Sequence, residues 1–137
     1  MEKGNRGLEV FDTTVHKTNN WLNDVSCELG EESKRKSYLA TRATLHALRD
    51  RLTIEGAAEL GAQLPMLIRG FYYEGWDPAG KPVKERRRDE FPARVAREFS
   101  DGDPECAARA VFAVLARRIT SGRYSRAVAV TGAARSA

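Results

Sequence analysis

The sequence predicts an all-α fold, a helical bundle of about six helices built from two related helical units. Three observations carry the prediction. Apolar residues recur with a period near 3.6 along most of the 137 residues, and no stretch alternates as a half-buried strand would. Residues that start or stop helices fall where the periodic runs break: Gly30, Ser33, Thr53, Pro65 and the pair Asp103-Pro104. Finally, two separate segments, residues 41–53 and 108–120, read alike.

Each element follows from local chemistry. The first helix is expected from about Thr13 to Leu29, with Val15, Trp21, Leu22, Val25 and Leu29 on one broad face and residues 1–12 left as an arm. Gly30 closes it, since glycine reaches the left-handed conformation without strain. Ser33 caps the second helix, whose apolar face carries Tyr38, Thr41, Leu45, Leu48 and Leu52. Its other face, Lys34, Arg35, Lys36, Arg42, Arg49 and Asp50, reads as solvated. Thr53 caps a third helix, where the small residues Ala57, Ala58, Gly61 and Ala62 allow a neighbour to come close. Gly56 and Gly61 each weaken that helix by roughly 1 kcal/mol relative to alanine, so packing must hold it.

Pro65 cannot continue the third helix but suits the first position of a fourth, running to Tyr72 with Leu67, Ile68 and Phe71 apolar. The stretch Gly75 to Pro82 is a loop by composition and the natural internal boundary. Asp89 can cap a fifth helix through about Phe99, with Phe91, Val95 and Phe99 as its stripe and Pro92 in the first turn. Asp103-Pro104 starts a sixth that runs to Ile119, buries Val111, Phe112, Val114 and Leu115, and is ended by Ser121-Gly122.

The chain thus divides into unit one (13–73), a loop (74–88) and unit two (89–124), followed by a tail (125–137). Between segments 41–53 and 108–120, Arg42 matches Arg109, Ala43 matches Ala110, Leu48 matches Leu115, Arg51 matches Arg118 and Thr53 matches Thr120. Trp21 and Val25 correspond to Phe91 and Val95 in the preceding helices. The runs TLHALRDRLT, AQLPMLIRGFYYEGW (Ala62 to Trp76), DEFPARVA and AARAVFAVLARRI resemble the bacterial domain-of-unknown-function family 2267 over roughly residues 10–124. The resemblance implies a small all-α domain of two repeated helical units, and it implies no reaction. In that family the second unit ends with a Leu-Pro signature and a closing helix, whereas here Thr131-Gly132 stand at the matching place. The tail offers only Val128 and Val130 as larger apolar groups, too little to offset an ordering cost of roughly 1–2 kcal/mol per residue. At most one helical turn is expected before a mobile end, leaving the stripe around Val111 and Leu115 open to pair with another copy.

Composition narrows the function classes. Apolar residues are 42% and charged residues 31%, as in an ordinary soluble globular protein, and no apolar run reaches the roughly 18 residues of a membrane span. The first residues lack the pattern of a secretory signal, so a cytoplasmic location is expected. Cys27 and Cys106 form no Cys-x-x-Cys pair, although Cys106 sits in a first helical turn, where the dipole can lower a thiol pKa. His16 and His46 lack metal-ligand spacing, and neither a phosphate loop nor a nucleophile elbow occurs. The reading is a non-enzymatic domain with no cofactor and no metal.

Two surfaces stand as binding candidates. Arg69, Tyr72, Tyr73 and Trp76 bring together residue types enriched at interface hot spots, which favours a protein-interaction module. The basic run with Lys84, Arg86, Arg87 and Arg88 is the alternative, a nucleic-acid surface. It is not favoured, because Glu85 interrupts it and Asp89-Glu90 follow it. A small-molecule site between the units is the third reading. A protein partner, with a homodimer left open and no membrane, completes the expectation.

Overall fold

A computed structural model describes residues 7–80 and 90–119. They form six α-helices: α1 (Glu9–Leu29), α2 (Lys34–Arg51), α3 (Ile54–Ala62), α4 (Met66–Tyr73), α5 (Glu90–Ala96) and α6 (Pro104–Arg118). No strand occurs among the described residues, and the all-α fold stands.

The caps form as the sequence chemistry requires. Ser33 Oγ accepts from the Lys36 amide at 3.2 Å, Thr53 Oγ1 from Gly56 at 3.0 Å and Asp103 Oδ1 from Glu105 at 3.1 Å. Each such cap is worth about 1 kcal/mol. Gly30 closes α1 at φ 69°, and the Glu31 amide then reaches back to Ser26 O at 3.0 Å.

Helix α2 is the axis of the bundle and packs against α1, α4, α5 and α6. Residues 43–49 are buried without a break, so the helix is enclosed on all sides rather than on one stripe. Small groups let it approach α1 closely: the Ser26 and Ser37 hydroxyls share a 2.5 Å hydrogen bond. Trp21, Val25, Leu45, Leu48, Ile68, Tyr72, Phe91, Val95, Phe112 and Leu115 make one continuous core. Gly61 marks a second close approach. A Cβ there would come within 2.8 Å of Tyr73 Cζ, so only glycine lets the α4 tyrosine lie against α3.

Several boundaries and faces differ from the sequence reading. Helix α1 starts at Glu9 rather than Thr13, so the last part of the expected arm is helical. Val15 is not core but 48% exposed, whereas the adjacent Thr14 is the residue turned inward, at 8%. Pro65 is the cap of α4 and not its first residue, and α4 runs on to Tyr73. Helix α5 stops at Ala96, while Phe99 stays buried in the turn that follows. Arg49 is buried rather than solvated, for reasons given below. Val111 and Leu115 are 0% and 1% exposed, which removes the expected open stripe on α6, since α1, α2 and α5 all pack on that helix.

The matched pairs Ala43/Ala110, Leu48/Leu115, Trp21/Phe91 and Val25/Val95 are buried on both sides of each pair. Two helices on one core share such a register whatever their origin, so the pairing describes packing. The tail expectation, the Ser121-Gly122 stop, the Asp89 cap and the Lys84, Arg86, Arg87 and Arg88 run lie outside the described residues.

Candidate interaction surface

The aromatic end of α4 is held from below by two side chains of α2. A helix end leaves carbonyls short of backbone donors, and here Phe71 O, which the Glu74 amide reaches at 3.3 Å, Tyr72 O and the following Glu74 O meet side chains of α2. His46 Nε2 lies 2.6 Å from Phe71 O, and Arg49 Nη1 donates to Tyr72 O at 2.8 Å and to Glu74 O at 2.9 Å. On its other side His46 Nδ1 is 2.9 Å from both carboxylate oxygens of Glu98, beyond the end of α5. Arg49 Nε is paired with Asp50 at 2.9 Å, and Arg94 of α5 reaches the same carboxylate at 3.6 Å. One polar node thus fastens α2, α4 and the α5 end together. The Glu74 carboxyl is held below its usual range by its hydrogen bond to Arg42 and by that guanidinium's charge, and Arg42 is raised in return.

A histidine beside a carboxylate is the arrangement of a general base, but the second nitrogen decides its use. Both ring nitrogens of His46 face acceptors, and the residue is 5% exposed, so neither nitrogen is left to meet a substrate. Nor do three His, Cys, Asp or Glu side chains converge to hold a metal among the described residues. The Cys106 thiol is raised, not lowered: it donates to Asp103 Oδ2 at 3.2 Å, and the neighbouring carboxylate opposes a thiolate more than the helix dipole favours one.

The four predicted contact residues separate. Tyr72 is fully buried and its hydroxyl donates to Ala57 O at 2.7 Å, so it belongs to the core rather than to a surface. Tyr73 and Trp76 are half-buried against each other, ring centroids 5.4 Å apart, and the Trp76 Nε1 has no hydrogen-bond partner among the described residues. Arg69 alone is exposed, with no ion pair among the described residues. It lines an open groove of about 450 Å³ between α1 and α4, together with Val10, Thr14, Lys17, Leu64 and Met66.

Beside that groove lies the feature that sequence reasoning missed. Leu8, Val10, Phe11 and Val15 are 59, 55, 57 and 48% exposed, and Met66 and Leu67 at the start of α4 are 52 and 43% exposed. Leu8, Phe11, Val15, Thr18, Leu22, Val25 and Leu29 follow one another at spacings of three and four, so they share one side of α1. The second half of that stripe is core, and its first half is uncovered. Helix α6 runs antiparallel along α1 only as far as Arg118, which pairs with Asp24 at 2.6 Å, while Arg117 pairs with Glu28 at 2.7 Å. A second, smaller groove of about 350 Å³ between α1 and α6 has its charges already engaged, Glu28 with Arg117 and Arg109 with Glu105.

Among the described residues no helix is long and apolar enough to cross a membrane. The fold and surface define a small all-α bundle whose buried His46 and Arg49 serve as internal ties and whose open feature is apolar. The chain belongs to the family described as uncharacterized conserved protein (DUF2267), which matches it over residues 18–130. No curated protein matches the chain. The family match begins at Thr18, after the uncovered turns of α1, and runs on beyond residue 124.

Proposed function

We propose that this domain is a protein-interaction module that performs no catalysis, and that its docking surface is the first half of α1 together with the opening turn of α4. The observation that carries the reading is the run of half-exposed Leu8, Val10, Phe11, Val15, Met66 and Leu67 beside Arg69. Contiguous apolar surface rimmed by polar groups is what protein partners cover, and aromatic, Met and Arg side chains are the types enriched there. The closed valences of His46 support the non-catalytic half of the reading.

The test compares wild type with a Phe11→Asp/Met66→Asp variant as immobilised baits. Both substituted residues are more than half exposed, so the variant should keep the wild-type circular dichroism and melting temperature. Proteins retained by wild type and lost by the folded variant are the expected result. Equal retention by both baits would remove this surface from the account.

A further inference from the structure

We infer that the uncovered half of α1 pairs with a second copy of the same chain. The inference rests on the interaction-surface reading above and names its partner. Charge is the first argument. The molecule carries a net charge of +4, which opposes self-association in general. This surface is an exception: among the described residues two exposed acids, Glu9 and Asp12, and two exposed bases, Lys17 and Arg69, balance to zero around it. None of the four has an ion-pair partner among the described residues, whereas Asp24, Glu28, Glu31 and Glu74 all do. A second copy supplies the counter-charge for both signs at once. A nucleic acid or an anionic membrane would meet no net positive charge among these described side chains.

The second argument is the shape of the stripe. Leu8, Phe11 and Val15 prolong, at heptad spacing, the row by which Leu22 and Val25 already pack against neighbouring helices. A helix carrying the same row is a fitting complement. The third is size. Six side chains near half exposure, each about 150–200 Å² when open, offer on the order of 500 Å² per copy. A pair then buries about 1,000 Å², the lower bound for a specific interface, which places the dimer in the weak, reversible range.

The experiment is sedimentation equilibrium of the full chain at about 10–500 μM, the range in which an interface of this size associates. The mass of wild type should climb from 15.2 kDa toward twice that value. Phe11→Glu and, separately, Val15→Lys should stay monomeric throughout with unchanged circular dichroism. A wild type that remains monomeric to the top of the range overturns the inference, as does a Phe11→Glu protein that associates equally well. If wild type is monomeric and only a variant lacking residues 120–137 dimerises through Phe11, the chain's own tail is the occupant and the inference also falls. A monomeric wild type that still retains another protein through Phe11 and Met66 would sink self-pairing while leaving the interaction-module reading intact.

Discussion

The two halves of α1 are written in the same pattern and meet opposite fates. From Thr18 onward, Trp21, Leu22 and Val25 are at most 6% exposed, and Asp24 and Glu28 hold the arginines at the end of α6. Before Thr18, Leu8, Phe11 and Val15 continue the stripe at about half exposure, and Glu9 and Asp12 have no ion-pair partner among the described residues. The amphipathic pattern states which side of a helix is apolar. What covers that side is decided by the neighbours: α2 meets α1 at Ser26 and α6 meets it at Asp24 and Glu28, all in the second half.

The contrast is broken most sharply by truncation at equivalent stripe positions. Trp21→Ala should cost about 3–5 kcal/mol, measured by urea unfolding, because it empties a core site that is 2% exposed. Phe11→Ala should cost the monomer less than about 0.5 kcal/mol. Comparable losses at the two positions would mean that Phe11 is core after all.

The polar node offers the next largest effect. Arg49→Met removes the donor from Tyr72 O and Glu74 O while keeping most of the volume, and it should cost about 3 kcal/mol by the same assay. A neutral result would show that water or a neighbouring donor takes over those carbonyls.

Gly61→Ala is expected to be smaller. The gain in helix propensity, about 1 kcal/mol, is outweighed by the contact of the new Cβ with the Tyr73 ring, for a net loss of about 1 kcal/mol. In a Tyr73→Ala background the sign should reverse, and calorimetry of the double-mutant cycle reads this directly.

The smallest effect concerns pH. The Glu74 carboxyl lies below its ordinary range because Arg42 bonds and faces it. A depressed carboxyl contributes stability above its unfolded pKa, and the contribution is lost as pH falls through the folded value. Wild type and Glu74→Gln should therefore differ above about pH 5 and converge below about pH 3 in thermal melts. A difference that grows in acid would reverse the sign and remove the pairing from the account.

Much of the fold was legible in the sequence because its signals are local. Ser33, Thr53, Asp103-Pro104 and Gly30 each act on backbone groups within a few residues, and each caps or closes a helix where expected. Arg49 was misread, and the tie that His46 makes was missed, for the opposite reason. Their partners are carbonyls of another helix, 23 to 25 residues away, and periodicity assigns any charge on a helix to solvent. Tyr72 was misplaced because an aromatic run does not say which ring turns inward, and Ala57 O supplied the acceptor that settles it. Of the site, Arg69 was legible from composition. The open half of α1 was not, since no local residue reports which turns of a helix its neighbours cover.

The most direct test is hydrogen exchange along α1 as a function of protein concentration, at about 1 μM and at several hundred μM, either side of the expected association range. Residues 21–28 should be strongly protected at both concentrations. Residues 9–17 should exchange faster when dilute and gain protection as concentration rises, with the gain abolished by Phe11→Glu. Uniform, concentration-independent protection along the whole of α1 would contradict the division of this helix into a core half and an open, associating half.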